Sequence, residues 1–191
     1  MQAFHLLAPP PYFTNCFLLI GSEGHAVAID PAADVARFEE LLNENKGTLT
    51  HIFLTHGHMD HVSSVEPLRE KYGAKLYMSE ADAKHFSMQP DELFTDFGTV
   101  AVDDMTFTTI FTPGHTPGSL VIQCDGLLFT GDTLFAGDIG RTDFPGGSME
   151  EMKQSLKKLR ENIEGDPQVL PGHEEFSTFD REKKYNPYMK L

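Results

Sequence analysis

The sequence predicts a mixed α/β fold with largely antiparallel strand pairing, and three observations carry that prediction. Short apolar runs recur along the 191 residues. Patterns with a helical period fill several of the gaps between them. Gly-containing turns such as Asp125-Gly126 join other runs directly, and a dipeptide of that kind suits a two-residue hairpin rather than a helical crossover.

In chain order, strands are expected at Cys16–Ile20, His25–Ile29, His51–Thr55, Lys75–Met78, Met105–Phe111, Leu120–Cys124, Leu127–Thr130 and Gln168–Leu170. Helices are expected between them. Val35, Phe38, Leu41 and Leu42 share one face, and Val65, Leu68 and Tyr72 form a stripe that Gly73 closes. The clearest helix starts at Ser148, which forms a capping-box pair with Glu151. Met152, Leu156, Leu159 and Ile163 make its apolar face, and Gly165 ends it. A last short helix should run from near Thr178 to Asn186-Pro187. No repeat or Gly/Ser linker divides the chain, so residues 1–191 are read as one domain.

Composition narrows the function. The net charge is −14 and no Lys/Arg cluster relieves it, so nucleic acid is not an expected partner. No apolar run approaches the length of a membrane span. The N-terminus lacks a basic start and is interrupted by prolines. The two cysteines have no disulfide-framework spacing. A soluble cytoplasmic protein acting on a small molecule follows, with the oligomeric state left open. Neither a G-x-G-x-x-G nor a G-x-x-x-x-G-K-[ST] motif occurs.

The chemistry is concentrated in T-H-G-H-M-D-H, Thr55 to His61. His56, His58, Asp60 and His61 cannot share one helical face, so they are placed on a turn after the strand His51–Thr55. Three other strands end in similar fashion: in T-P-G-H-T-P-G with His115, in G-D-T with Asp132 and in P-G-H with His173. Glycines allow the sharp turns and close approach that an ion site needs. Seven ligands exceed one tetrahedral zinc and divide into two sets of three with a shared carboxylate. Asp132 is the natural bridge, because a carboxylate has two oxygens. No cysteine takes part, so this is not a closed structural zinc site. Nitrogen and oxygen donors suit two divalent ions, zinc first, with iron or manganese as alternatives.

H-x-H-x-D-H followed by a lone His, an Asp and a late His resembles the metallo-β-lactamase superfamily. The resemblance covers nearly the whole chain, from T-N-C-F-L-L-I to Y-N-P-Y-M. It implies a four-layer αββα sandwich with a dinuclear site at one edge. G-D-T-L-F-A-G-D-I-G-R-T-D-F-P-G-G looks like the glyoxalase II-type hydrolases, which cleave hydroxyacylglutathione thioesters. By that resemblance His56, His58 and His115 take the first metal, Asp60, His61 and His173 take the second, and Asp132 bridges. Asp60 and Asp132 are then the catalytic carboxylates. Such a pair of ions lowers the pKa of a shared water, and the resulting metal-bound hydroxide attacks a polarised carbonyl.

The resemblance has limits. Longer glyoxalase II enzymes carry a C-terminal helical domain for glutathione, but this chain stops at Leu191, soon after His173. It looks like a shorter member, and glutathione recognition does not carry over securely. Persulfide dioxygenases share the fold and a G-R-T-D-F segment; there His56, His115 and Asp132 would hold a single iron. A non-catalytic metal protein is a third reading, although a core of this size does not require structural metals. Within the superfamily, the acidic charge weakens a nuclease reading. The missing signal peptide weakens a β-lactamase reading.

Other residues carry paired readings. Arg141, in the long loop Thr133–Gly147, could grip a substrate carboxylate or pair with Asp138 or Asp143. Asp30 could orient a histidine or cap a helix. Cys124 reads as a buried structural thiol, and Glu174-Glu175 as a solvated helix start. His5, His25, His51 and His85 read as surface or packing residues.

Overall fold

The computed structural model describes residues 1–190. Its strands are β1 (Gln2–Leu7), β2 (Asn15–Ile20), β3 (His25–Ile29), β4 (Thr48–Phe53), β5 (Lys75–Met78), β6 (Glu92–Leu93), β7 (Thr99–Val102), β8 (Met105–Phe111), β9 (Leu120–Cys124), β10 (Leu127–Gly131), β11 (Gln168–Pro171) and β12 (Ser177–Thr178). Its helices are α1 (Val35–Glu44), α2 (Met59–Val62), α3 (Val65–Tyr72), α4 (Glu80–His85), α5 (Met149–Asn162) and α6 (Phe179–Tyr185), followed by a 3-10 turn at Tyr188–Lys190.

Two six-stranded sheets form, one in the order β1-β2-β3-β4-β5-β6 and the other β12-β11-β10-β9-β8-β7. In the second, only the β10–β11 pair is parallel. The first is antiparallel from β1 to β3 and parallel from there to β6. The expected antiparallel bias therefore holds for the second sheet and weakens in the first. There α1 and α3 supply the crossovers that parallel neighbours require.

Three apolar clusters define four layers. Phe17, Val27, Phe53, Met105, Phe107 and Phe129 lie between the sheets. Leu18, Ala28, Phe38, Leu42, Leu68 and Leu76 pack the first sheet against α1 and α3. Val121, Leu128, Met152, Leu156, Leu159 and Phe179 pack the second against α5 and α6. The result is the αββα sandwich that the resemblance implied.

Several elements differ from expectation for local reasons. Strand β4 stops at Phe53 rather than Thr55, because the Thr55 N–H leaves the ladder to donate to the Asp30 carboxylate at 2.8 Å. Ser148 does cap α5, its Oγ accepting from Glu151 N–H at 3.2 Å. The reciprocal half of the capping box is not made, since Ser148 N–H donates to Gly114 O at 2.8 Å. The helix ends before Gly165, because Ile163 turns extended and is buried against the sheet. Thr178 caps α6 as expected. Glu174 and Glu175 start no helix; they lie exposed in the bend between β11 and β12, with Glu174 at φ +69°.

Candidate metal centre

The site lies where several strands end. Just past β3 comes Asp30, past β4 the turn with His56 and His58, past β8 the turn with His115, past β10 Asp132, and past β11 His173. Asp60 and His61 lie within α2. They sit on a single helical turn rather than a loop, and His58 is its N-cap.

Backbone bonds within and between the sheets hold these ends together. Leu120 N–H donates to Thr55 O at 2.9 Å, Gly172 N–H to Gly131 O at 2.9 Å, and Asn15 N–H to Gly172 O at 2.7 Å. Gly131 adopts φ +47° against the Thr55 side chain, a conformation that costs a residue with a Cβ about 1–2 kcal/mol. Gly172 leaves the space used by Asp132 and His61, since a Cβ there would fall 2.4 Å from Asp132 Oδ1.

The seven expected ligands converge. His56, His58 and His115 offer nitrogens that lie within 4.8 Å of one another, and Asp60, His61 and His173 do the same. Within the first set, His58 Nδ1 and His115 Nε2 are 2.9 Å apart. Within the second, His61 Nε2 is 3.3 Å from His173 Nε2, and Asp60 Oδ2 is 3.2 Å from His173 Nε2. Asp132 reaches both sets: Oδ1 lies 3.4 Å from His61 Nε2, and Oδ2 lies 3.4 Å from His115 Nε2.

Outer hydrogen bonds set the tautomers. His61 Nδ1–H donates to Asp30 Oδ2 at 3.0 Å. The Thr55 hydroxyl donates to the same oxygen at 2.6 Å and accepts from His56 Nδ1–H at 3.1 Å. His115 Nδ1–H donates to Arg141 O at 2.7 Å. In each ring the Nε2 lone pair is thereby turned inward, as in metal sites where the ligand's other nitrogen is tied down. Asp30 thus orients His61 and Thr55 and caps no helix; α1 is preceded by Asp34.

The donor set fits divalent cations. His56 Nε2 and Asp132 Oδ1 are both buried and have no hydrogen-bond partner, a costly condition unless a cation satisfies them. Electrostatics agree. Burial, with the neighbouring imidazoles, holds His56 well below its usual pKa and His58 down to about 4. Burial opposes charge on His61 too, but Asp132 and Asp30 outweigh it and raise that ring to about 10. Burial likewise opposes ionisation of Asp132, yet the surrounding histidines, His61 foremost, hold it far below the carboxylate range. His56 and His58 are thus held neutral beside an ionised Asp132, while His61 is held in its charged form.

A cleft of about 580 Å³ opens over the set. Tyr12, Met59, Phe135, Ile139, Phe144 and Arg141 are among its walls. Arg141 lies in the cleft but is engaged: Nε and a terminal nitrogen each donate to Asp143 at 2.7 Å, and the guanidinium stacks 3.9 Å above the Phe144 ring. The ion-pair reading of Arg141 is therefore realised with Asp143 rather than Asp138. Its backbone carbonyl, which no side-chain motif singles out, touches the site directly through His115. Thr55 was also missed, although it stands beside His56 in the motif.

The remaining histidines lie outside the centre. His5 bonds Asn15, His25 pairs with Asp103, His51 bonds Thr50 and His85 packs on Phe86. Cys124 is buried, and burial pushes its thiol up to about 11, which suits a structural role.

The sequence model described as Metallo-beta-lactamase superfamily matches residues 9–173. The chain belongs to this superfamily. Members of the metallo-beta-lactamase superfamily bind divalent metals and are mostly metal-dependent hydrolases. This member is 32% identical over 195 residues to "Hydroxyacylglutathione hydrolase GloC" of Haemophilus influenzae, with 92% of each chain covered. Its fold matches ETHE1 of Myxococcus xanthus at a TM-score of 0.90 and 30% identity, over 98% of this chain and 84% of that one. It matches TTHA1623 in a di-iron-bound form at a TM-score of 0.83 and 28% identity, over 97% and 99% of the two chains.

Proposed function

We propose that this chain is a two-metal hydrolase that cleaves a thioester of the hydroxyacylglutathione type, with zinc as its ions. The observation that carries the reading is Asp132, whose carboxylate lies between the two ligand sets: Oδ1 is 3.4 Å from His61, and Oδ2 is 3.4 Å from His115 and 3.7 Å from His173. A carboxylate so placed can serve both sets. Two ions held there supply a water of lowered pKa and a Lewis acid for the carbonyl.

The chain's own groups do the rest. Asp30, Thr55 and Arg141 O keep His61, His56 and His115 in the ligating tautomer. Asp60 and Asp132 are the catalytic carboxylates in this reading, and both line the cleft. A thiolate leaves readily, so no general acid is needed beside it. Phe144, Tyr12 and Met59 wall the cleft and offer the substrate apolar surface. Arg141 meets a substrate carboxylate only by exchanging Asp143 for it, a modest step for an exposed ion pair. GloC supports glutathione as the thiol carrier, because the match spans 92% of both chains.

The competing reading is a one-iron persulfide dioxygenase built on His56, His115 and Asp132. It leaves Asp60, His61 and His173 without a task, although they converge as closely as the first set. The substrate in either case is a small molecule, with neither nucleic acid nor membrane as partner. No helix among the described residues is long and apolar enough to cross a membrane. Two buried free thiols fit a cytoplasmic setting.

The deciding experiment is paired. Elemental analysis should find about two divalent ions per chain, and lactoylglutathione should lose its thioester absorbance. Glutathione persulfide should draw no oxygen uptake. A single tightly held iron with oxygen consumption and no thioester cleavage would sink the hydrolase.

A further inference from the structure

Helix α4 contributes no ligand, yet it closes on both turns that carry His56, His58 and His115. Ser79 caps it, accepting from Asp82 N–H at 3.2 Å and donating to Gly118 O at 2.7 Å. The Asp82 carboxylate then faces inward with its residue 0% exposed. Oδ2 accepts from Gly57 N–H and from the Thr116 hydroxyl, each at 2.9 Å. Oδ1 accepts from Gly118 N–H at 2.7 Å.

The positions of these donors matter. Gly57 separates His56 from His58, and Thr116 follows His115. One carboxylate therefore fastens two turns that lie more than fifty residues apart in the chain but serve one ligand set. The packing is equally close. A Cβ on Gly57 would sit 2.3 Å from the Phe86 ring, and one on Gly118 would sit 2.1 Å from Ser79 Oγ. Phe86 itself packs edge-on to His58, with centroids 5.1 Å apart.

Asp82 has no cation within ion-pair distance among the described residues. Burying a carboxylate without a counter-charge is unfavourable, and burial does push its pKa up. The three hydrogen bonds offset that cost, with a smaller contribution from His85 nearby. Asp30 offers the comparison on the other side of the site, where it accepts from Thr55 and from His61 of the second set. Asp30 thereby holds the His61 ring directly and the His56 ring through Thr55, whereas Asp82 holds the backbone of the turns that carry His56, His58 and His115.

We propose that Asp82 is a positioning residue for the His56–His58–His115 set and fixes how tightly that set holds a divalent cation. The proposal rests on reading the set as an ion site, but not on the choice of substrate. An amide cannot replace this carboxylate. Whichever way Asn is oriented, its NH₂ confronts Gly57 N–H or Gly118 N–H.

Metal-stripped protein titrated with Co²⁺, followed by visible absorption and by competition with a chromophoric chelator, tests this. In Asp82→Asn one of the two bound ions should weaken by about 10–100-fold while the other changes by less than roughly threefold. Thr116→Val keeps both N–H bonds to Asp82 and loses the hydroxyl with its bonds to Asp82 and Ser119. It should weaken the same ion, by roughly threefold or more but less than Asp82→Asn does. A purely structural Asp82 would lower the melting temperature of stripped protein and leave both dissociation constants in place. That outcome, or equal weakening of both ions, overturns the proposal. Should Asp82→Asn not fold, Thr116→Val decides by the same two criteria. Wild-type protein that binds no Co²⁺ would remove the ion-site reading and this proposal together; two ions bound equally well by wild type and variants would remove this proposal alone.

Discussion

At His61, burial and charge pull in opposite directions, and the outcome depends on whether a proton or a metal ion occupies Nε2. Without metal the ring's pKa rises from 6.5 to about 10, because Asp132 and Asp30 outweigh burial. A group raised on folding stabilises most below its unfolded pKa, and that stability is lost as pH climbs through the folded value. Stripped protein should therefore melt at progressively lower temperature between pH 6.5 and 10 as far as His61 is concerned. Metal-loaded protein should show the opposite trend at the acid end, where protons compete for the same nitrogen. Scanning calorimetry of both forms across pH checks the pair. Asp132→Ala should abolish turnover in either reading of the function, since it serves both ligand sets. Asp60→Ala discriminates better: it should disable a hydrolase and hurt a one-iron dioxygenase less, measured as thioester cleavage against oxygen uptake. The ligands themselves were legible in the sequence because four crowd into T-H-G-H-M-D-H and the other three, His115, Asp132 and His173, each follow a strand and a glycine. Of their outer partners Asp30 was legible as an orienting carboxylate, whereas Thr55 and Asp82 were not. Asp82 acts through backbone N–H groups 25 and 36 residues away, and no side-chain pattern records such a bond.

Elements with a strong period or a strong cap were readable; those defined by pairing alone were not. The expected bounds of β3, β5, β8 and β9 match the structure, because each is an apolar or β-branched run closed by turn residues. Asp125 and Gly126 both adopt positive φ, as the hairpin between β9 and β10 demands. Strand β1 escaped because it is a sheet edge with only Leu6 buried. β6 and β12 span two residues each and carry no period at all. Helix α4, E-A-D-A-K-H, has no apolar stripe, since its inward face is the polar Asp82. Turn chemistry makes a stability prediction here. Gly131→Ala must hold φ +47° and place a Cβ 2.3 Å from Thr55 Oγ1. The backbone term alone is about 1–2 kcal/mol, and displacement of Thr55 adds to it. A lower urea midpoint with an unchanged m-value would confirm this, and the shift of Thr55 should loosen His56 as well. Ser148→Ala removes the α5 side-chain cap but keeps the backbone bond to Gly114 O, and should cost only about 1 kcal/mol, with metal content intact.

For the molecule as a whole, the layer order could not be read from periodicity. Buried strands of either sheet look alike in sequence, and only the resemblance supplied the sandwich. What holds the layers is aromatic. Phe53 meets Phe94 and Phe107 edge-to-face at 5.2 and 5.1 Å, and Phe17 meets Phe129 at 5.0 Å. Phe107→Ala should cost about 3–5 kcal/mol, a large share of the roughly 5–15 kcal/mol expected of a domain. Zinc at saturating concentration should recover part of that loss, because an ion bound only by the native state shifts the equilibrium by mass action. Thermal melts with and without zinc would reveal the recovery. The deeper consequence lies in how each ligand set is composed. His56 and His58 follow a strand of one sheet and His115 a strand of the other; Asp60 and His61 likewise meet His173 from across the sandwich. Neither half of the chain can complete a set alone. Tight ion capture must therefore follow docking of the halves, as a late event in folding. Once captured, each ion is a clasp across the seam, and prying the sheets apart means tearing ligands from it. Loaded protein should then unfold more slowly than stripped protein, and the rate at which a chelator extracts the ions should report how often the seam opens.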